Sequence, residues 1–361
     1  MMAVRPVSPK GMRAHCRIVV LTTTLLLGLL LHSCTPQDAA EPSQSERAKV
    51  SVLLLPYLGY APFFIAQEEG YFEEQGLEVE YVKLSSSQPA VPLLVQGDLD
   101  VYVGSVSPGL FNVISRGAKV RIVSDKGQVG PRGDSYISLM ARREVVEAGR
   151  LENPEGWKGL RIARSNANVY DYVLEKTFLA AGVSPQDVER RTIVNVLAQE
   201  ALSNGSVDMA LAAEPWVTRM VQSGDAVLWL PLGDVTPGLQ FTVMVYGPGL
   251  VEEKPDVGKR FMVAFLKGVR QYNLGKTERN LDILEGATGL DRDLLKQMTW
   301  PLMREDGRVN MESLLDFQEW AVTKGLIDRT ITEKEFWDPR FIEHAGSVLG
   351  EAPEPAVESA Q

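Results

Sequence analysis

The strongest constraint on the fold is a pattern of strand, loop and helix that occurs twice along the chain. An apolar strand over 50–55 is followed by a loop and by a helix with Pro62 at its start and Gly70 just past its end. The same order returns in a strand over 160–163, a polar loop, and a helix over 169–181. Proline near the beginning of a helix and glycine just past its end are typical boundary signals. Strands that alternate with helices predict an α/β body with parallel strands.

A second pair of matching segments supports this interpretation. The segments GDLDVYVGS (97–105) and GSVDMALAA (205–213) each place a helix-ending glycine before a short apolar strand, with an aspartate at the entrance of that strand. A single match between strand–helix units can arise by chance, because such units are generic. Two matches in the same order along the chain predict two similar lobes.

The remaining pattern predicts how the two lobes are connected. Strands over 136–141 and 241–246 are the natural crossings if the second lobe is inserted into the first. The chain beyond them is predicted to be largely helical, with candidate helices over 256–275, 278–287, 291–299, 310–324 and 332–336. We expect the lobes to divide the chain into a first part of lobe 1 at 50–138, lobe 2 at 139–242, a helical second part of lobe 1 at 243–348, and a disordered tail at 349–361.

The N-terminus has the layout of a signal peptide. Four basic residues precede an apolar run over 18–31, which is too short to span a bilayer as a permanent helix. The sequence LHSC (31–34) then resembles the cleavage box of bacterial lipoproteins, although His32 stands where a small or β-branched residue is usual. We expect a lipoprotein signal peptide at 1–33 and a lipid on Cys34. An ordinary secretory peptide and an uncleaved anchor helix are the alternatives.

Without its signal peptide, the chain has a composition that argues against nucleic-acid binding and against stabilisation by a disulfide bond. It has 33 basic and 47 acidic residues, a net charge of −14, and no basic patch that would indicate nucleic acid. Cys34 is its only cysteine, so a buried core rather than a disulfide must stabilise the body. Residues 34–49 are rich in Pro, Ser, Gln and Glu, which predicts a flexible tether. The body that follows is long enough for two domains of ordinary size.

The inventory of reactive side chains favours binding over catalysis. Only His344 remains once the signal peptide is removed, which argues against a Ser-His-Asp or Cys-His site. Zinc ligands at the usual spacing, a P-loop and a dinucleotide fingerprint are all missing from the sequence. A hydrolase with paired carboxylates stays open, although most acidic residues fall in stretches typical of solvated helix faces. We therefore expect no enzyme activity, no cofactor and no metal site.

Four segments of the body resemble periplasmic solute-binding proteins for nitrate, sulfonates, taurine and thiamine-precursor pyrimidines. They are YLGYAPFFIAQEEGYFEEQGLEVEYV (57–82), LLVQGDLDVYVGSVSP (93–108), WKGLRIA (157–163) and AAEPW (212–216). The resemblance implies a type II periplasmic-binding-protein clamshell, an α/β fold of two lobes joined by two crossing strands. It also implies a ligand in the cleft between the lobes and delivery to the permease and ATPase subunits of an ABC importer. The enzymes that make pyrimidines in this family use a cysteine-rich iron motif and a histidine, and this sequence has neither.

Loops at the ends of the predicted strands supply the candidate ligand-binding residues. Ligands of open α/β sheets bind beyond the carboxyl ends of the strands, where helix N-termini present free N–H groups. The candidates with aromatic, hydroxyl, amide or carboxylate groups in these loops are Tyr57, Tyr60, Ser85, Ser86, Ser87, Ser105, Ser107, Ser165, Asn166, Asn168, Glu214 and Trp216. For each serine and asparagine the alternative role is a helix cap. One of the two tyrosines is expected to pack against its own helix, and a core position is the alternative for the tryptophan.

The composition of these loops favours a ring-bearing ligand. Nitrate or a sulfonate would require a guanidinium or several N–H donors, and Arg164 is the only arginine in the four loops. Because tyrosine and tryptophan outnumber it, we expect a small vitamin-like molecule such as riboflavin or a thiamine-precursor pyrimidine, held by stacking and polar contacts. A small oxyanion or sulfonate is the alternative cargo, and a solute sensor or a hydrolase is the alternative function. The protein is expected to be a monomer outside the cytoplasm, anchored to the cell membrane through its lipid.

Overall fold

The structure is a computed structural model that describes residues 47–55, 57–85, 87–164, 169–224, 226–350 and 352, all within one compact unit. The predicted signal peptide, Cys34 and most of the tether lie outside the described residues. So do four candidate site residues, Ser86, Ser165, Asn166 and Asn168, and most of the predicted tail.

Ten strands of the described residues form two five-stranded sheets. They are β1 (Ala48–Leu54), β2 (Leu77–Lys83), β3 (Val101–Ser105), β4 (Arg121–Gln128), β5 (Ile137–Arg142), β6 (Arg161–Arg164), β7 (Glu189–Thr192), β8 (Met209–Ala213), β9 (Ala226–Pro231) and β10 (Gln240–Tyr246). The first sheet has the order β2-β1-β3-β10-β4 and the second the order β7-β6-β8-β5-β9. The α/β fold class and the two lobes predicted from the sequence are confirmed.

Strand direction shows where the chain changes sheet. β1 pairs in parallel with β2 and β3, and β6 pairs in parallel with β7 and β8. The strand β5 is antiparallel to β8 and β9, and β10 is antiparallel to β3 and β4. The two strands predicted as crossings are therefore the antiparallel members of the two sheets. The chain leaves the first sheet after β4 and returns to it with β10.

The repeated glycine and aspartate perform the same task in both lobes. Gly97 and Gly205 have positive φ angles of 83° and 72°, a backbone conformation that favours glycine. In the first lobe, the Asp100 carboxylate accepts hydrogen bonds from the backbone N–H and the hydroxyl of Ser51, at 2.8 and 2.9 Å. In the second lobe, the Asp208 carboxylate accepts from the backbone N–H of Arg161 at 2.8 Å. The match between the two segments thus reflects a carboxylate that ties β1 to β3 in the first lobe and β6 to β8 in the second.

Fourteen α-helices of the described residues cover the sheets. They are α1 (Ala61–Glu68), α2 (Tyr71–Glu74), α3 (Ala90–Gln96), α4 (Pro108–Ser115), α5 (Arg143–Glu147), α6 (Val169–Ala180), α7 (Asn195–Ser203), α8 (Trp216–Ser223), α9 (Pro255–Tyr272), α10 (Glu278–Thr288), α11 (Arg292–Gln297), α12 (Met311–Thr323), α13 (Glu333–Phe336) and α14 (Arg340–Leu349). The five helices predicted after β10 are all present, with boundaries shifted by up to three residues.

Aromatic contacts join the C-terminal helices to the sheets. Phe265 of α9 lies 4.8 Å from Phe63 of α1, measured between ring centroids. Phe317 of α12 contacts Phe111 of α4 at 6.0 Å and Tyr172 of α6 at 5.7 Å. Since α4 follows a strand of the first sheet and α6 a strand of the second, α12 packs against both lobes.

Three strands and the helices α4, α5 and α14 were not predicted from the sequence. The strand β4 (RIVSDKGQ) lacks an apolar pattern because its buried positions include Ser124, Asp125 and Lys126. The strand β7 is short, charged and at a sheet edge, as is common for edge strands. The strand β9 and the helix α14 were also missed. The strand β1 begins at Ala48, two residues inside the predicted tether, because the backbone N–H of Ala48 already bonds to Gly76 at 3.0 Å.

Candidate ligand-binding site

A cavity of about 780 Å³, including its mouth to solvent, lies between the two lobes. Its walls come from the carboxyl ends of β1, β3, β4 and β8 and from the first residues of the antiparallel strands β5 and β10. The lobes touch beside it, since the backbone N–H of Val169 donates to the carbonyl of Val106 at 3.1 Å. The position agrees with the general placement of ligands beyond the carboxyl ends of α/β strands.

Five of the residues predicted from the sequence line this cavity together. Tyr57 and Tyr60 come from the loop after β1, and Ser87 from the loop before α3. Ser105 ends β3, and Glu214 follows β8 in the second lobe. The loops that the sequence singled out therefore meet at one place from both lobes.

The two tyrosines have different environments. Tyr60 is buried, its hydroxyl donates to the carbonyl of Val103 at 2.6 Å, and its ring lies 5.8 Å from Phe63 of its own helix. Burial raises the pKa of Tyr60 well above its usual value, which keeps the hydroxyl protonated. Tyr57 is half-buried, and its hydroxyl forms no hydrogen bond with the other described residues. Tyr60 is thus the tyrosine that packs against its own helix, while Tyr57 presents the more accessible ring.

Glu214 links the second lobe to the C-terminal segment. Its carboxylate accepts hydrogen bonds from the backbone N–H and the hydroxyl of Thr218, at 3.0 and 2.7 Å, and from the backbone N–H of Thr299 at 3.1 Å. Burial raises the pKa of Glu214, and these hydrogen bonds oppose that rise. With three donors already bound, the carboxylate holds the loop before α8 in place at the cavity wall.

Other predicted residues lie elsewhere. Ser85 is exposed and does not line the cavity, and the Ser107 hydroxyl caps α4 by accepting from the N–H of Leu110 at 3.3 Å. Trp216 lines a neighbouring groove instead, with the guanidinium of Arg219 5.0 Å from its ring centroid.

Arg164 and His344 also lie away from the cavity. The Arg164 guanidinium donates to the Asp171 carboxylate at 2.7 Å, within the second lobe. His344 belongs to α14 and is not among the residues that line the cavity. Neither residue is therefore placed to bind or transform a ligand in the cleft.

The further cavity-lining residues that sequence reasoning did not identify include five with aromatic, hydroxyl or cationic side chains. Tyr136 precedes β5, Tyr170 begins α6, and Phe241 and Thr242 begin β10. The Phe241 ring lies 5.0 Å from the Tyr170 ring and 6.5 Å from the Tyr136 ring. The fifth residue is Lys126 of β4, which supplies a positive charge that the loop composition did not reveal. Recognition of β4 as a strand would have indicated Lys126, because the residue lies near the carboxyl end of that strand.

The described residues contain no group of three or more His, Cys, Asp or Glu side chains arranged to hold a metal ion. No helix of this same part of the chain has the length and apolar character needed to cross a membrane.

The two sheets, the antiparallel crossing strands and the cavity between the lobes define the fold of periplasmic solute-binding proteins. The chain belongs to the NMT1/THI5-like family, whose sequence profile matches residues 58–273. The resemblance seen in the sequence is thereby confirmed.

Relatives of the chain include proteins named for binding small solutes. The formylaminopyrimidine-binding protein of Halalkalibacterium halodurans is 22% identical over 82% of this chain and 85% of its own length. The bicarbonate-binding protein CmpA of Synechococcus elongatus is 24% identical over 51% of this chain and 45% of its own length. A Haemophilus influenzae relative named for thiamine biosynthesis is 28% identical over 46% of this chain and 50% of its own length. The chain thus spans about half the length of two of these relatives.

Solved structures share the fold at low sequence identity. The periplasmic aliphatic sulphonate-binding protein SsuA of Escherichia coli has a TM-score of 0.65 and 14% identity, covering 81% of this chain and 92% of SsuA. The desulfurization enzyme DSZB has a TM-score of 0.60 and 15% identity, covering 84% of this chain and 100% of DSZB. The fold alone is therefore compatible with binding and with catalysis.

Proposed function

We propose that this protein is the extracytoplasmic solute-binding component of an ABC importer. The family, the two-lobed fold and the interlobe cavity support this role. Closure of the lobes around a ligand would present a distinct surface to a permease, which works with an ATPase subunit. In this proposal the protein is a monomer, and a lipid on Cys34 holds it at the membrane close to the permease. Replacement of Cys34 by serine should then release the protein from the membrane fraction, whereas retention in that fraction would contradict the anchor.

The cargo we propose is a small ring-bearing molecule, with a thiamine-precursor pyrimidine first and riboflavin second. The observation that carries this proposal is the set of aromatic side chains in the cavity, contributed by both lobes and the crossings: Tyr57, Tyr60, Tyr136, Tyr170 and Phe241. Aromatic faces bind planar rings by offset or edge-to-face contacts, and nearby hydroxyl groups fix the orientation of the ligand. The name of the Halalkalibacterium relative supports a pyrimidine in particular.

A small oxyanion or sulfonate is the second candidate cargo. Lys126 favours it, because a buried cation in the cavity matches a negatively charged solute. Catalysis has less support. Glu214 is the only acidic residue among the described residues that line the cavity, so the paired carboxylates of a hydrolase are not formed there. Recovery of an unchanged ligand after long incubation with the protein would exclude hydrolysis.

The cargo can be tested by titrating the purified protein with four solutes and following tryptophan fluorescence. Hydroxymethylpyrimidine or riboflavin should produce saturable shifts, and taurine and nitrate should not. A response to taurine or nitrate alone would refute the ring-bearing cargo. Native mass spectrometry of the protein as purified provides an independent test, because the mass of a retained ligand identifies its class.

A further inference from the structure

Lys126 lies at a bulge in β4, where the regular pairing of β4 with β10 is interrupted. Along the antiparallel pair of β4 and β10, Val243 pairs with Asp125 and Thr242 pairs with Gly127. Lys126 lies between these two pairs and has no residue opposite it. Such a bulge redirects a side chain, and bulges are frequent next to binding and active sites. Here the redirected side chain is one that lines the interlobe cavity.

The side chain of Lys126 is buried against an aromatic ring, and Asp125 next to it in the sequence acts on its charge without forming a salt bridge. The residue is only 4% exposed, and its Nζ lies 4.3 Å from the centroid of the Tyr60 ring. Among the described residues, no carboxylate forms a salt bridge with it and no acceptor forms a hydrogen bond with it. The ring face offsets part of the cost of burying the charge, but an ammonium normally requires a carboxylate or several acceptors.

Asp125, the neighbour of Lys126 in the sequence, and Glu214, the acidic residue of the described cavity lining, are already hydrogen-bonded to other donors. The Asp125 carboxylate accepts from the backbone N–H of Gly127 at 3.0 Å, from the side-chain amide of Gln240 at 2.6 Å, and from the backbone N–H of Arg304 at 2.9 Å. Glu214 has its three donors within the second lobe and the C-terminal segment. The protein itself therefore leaves Lys126 available to a ligand.

We propose that Lys126 is a ligand-binding residue and that the solute carries an anionic group, a carboxylate, sulfonate or phosphate, which contacts the Lys126 ammonium. This inference rests on the proposed solute-binding function and narrows its cargo to an anionic solute, so that a phosphorylated or carboxylated ring compound fits better than neutral hydroxymethylpyrimidine or riboflavin. An anion in the cavity supplies the missing partner, while the aromatic side chains contact the remainder of the molecule. Burial lowers the pKa of Lys126 to about 7, and a bound anion would restore the charged form.

Gly59 provides a second way to perturb this contact. A Cβ atom added at Gly59 would lie 2.6 Å from Lys126 Nζ. Because Nζ is the end of a flexible side chain, the substitution Gly59→Ala would displace the ammonium rather than the backbone. It therefore changes the position of the charge without removing it.

The test compares solutes that separate the ring from the charge. Uracil supplies a neutral ring, orotate the same ring with a carboxylate, and taurine and nitrate supply anionic groups without a ring. Binding of each is measured by calorimetry to the wild-type protein and to the variants Lys126→Met, Gly59→Ala and Lys119→Met. Lys119 is a matched control, because it is exposed, pairs with Glu252 at 3.1 Å, and lies just before the same strand.

We expect at least one anionic solute to bind the wild-type protein tenfold or more tightly than uracil. This preference should disappear in Lys126→Met, weaken in Gly59→Ala, and persist in Lys119→Met. Thermal unfolding of the free variants verifies that each is folded. An anion preference that survives in Lys126→Met, or the failure of every anionic solute to bind more tightly than uracil, would overturn the inference. If taurine or nitrate binds through Lys126 and orotate does not, the inference stands and the ring-bearing cargo is refuted.

Discussion

Replacement of Lys126 by methionine should stabilise the free protein, because it removes a buried charge and keeps the length of the side chain. Burial lowers the Lys126 pKa from 10.5 to about 7 in the folded protein. At about 1.4 kcal/mol per pKa unit, the buried ammonium costs at most about 5 kcal/mol of folding free energy below pH 7. Methionine fills a similar volume and does not carry this cost. The free energy of unfolding of Lys126→Met should therefore exceed that of the wild type.

The sign of the pH dependence follows from the same pKa values. Between pH 7 and pH 10.5 the unfolded chain binds a proton at Lys126 that the folded protein has released, so wild-type stability rises with pH in this window. The stability gained by Lys126→Met should shrink from about 5 kcal/mol at pH 6 to about 1.4 kcal/mol at pH 9.5. Asp125, whose pKa burial raises to about 6, is present in both proteins, as are Tyr60 and Glu214. The pH dependence that these groups share therefore cancels in the comparison, apart from the charge interaction between Asp125 and Lys126.

Urea denaturation at the two pH values measures this difference, with Lys119→Met as the control. Lys119 is exposed, so its replacement should change the unfolding free energy by less than about 0.5 kcal/mol at either pH. A Lys126→Met variant that is less stable than the wild type, or equally stabilised at both pH values, would refute the reasoning. The first result would mean that Lys126 has a stabilising partner. The second would mean that the charged form of Lys126 is not buried in the folded protein.

Three further predictions concern the site and the lobes. The affinity for an anionic solute such as orotate should fall about tenfold per pH unit above pH 7, because binding requires protonated Lys126. Calorimetry over pH 6–9 measures this change. An affinity that does not vary with pH would contradict the prediction. Tyr57→Ala should weaken binding of a ring-bearing solute about tenfold, the equivalent of roughly 1.4 kcal/mol, whereas Tyr71→Ala, outside the cavity, should leave the affinity unchanged. Asp100→Ala should lower the free energy of unfolding, measured by urea denaturation, by about 2 kcal/mol, because two hydrogen bonds from Ser51 lose their acceptor. A loss under about 0.5 kcal/mol would contradict the role of Asp100 in joining β1 to β3.

Much of the fold was predictable because it depends on local and repeated signals. Gly97 and Gly205 end their helices through positive φ angles, and such positions are evident in a sequence. The aspartates at 100 and 208 were recognisable as a repeated feature, although their hydrogen-bond partners were not. The strand β4 was not predictable in this way, because its buried polar residues form hydrogen bonds with residues far along the chain. Asp125, for example, bonds to Gln240 and Arg304.

The site was only partly predictable for the same reason. Loops after parallel strands can be located from the order of elements, and Tyr57, Ser87 and Glu214 of such loops do line the interlobe cavity. Residues at the start of antiparallel strands, such as Phe241, reach the cavity only because those strands run in the opposite direction. Lys126 depends in addition on a bulge, which arises from the register of β4 against β10.

The position of β10 between β3 and β4 also determines when the first lobe can form during synthesis. A chain that stops before Gln240 lacks the strand that joins β3 to β4, so its first sheet stays in two pieces. More than a hundred residues separate β4 from β10, and closing so large a loop makes assembly of the lobe slow. If the protein is exported as proposed, this delay keeps the N-terminal half from completing a stable first lobe before the rest of the chain has been made.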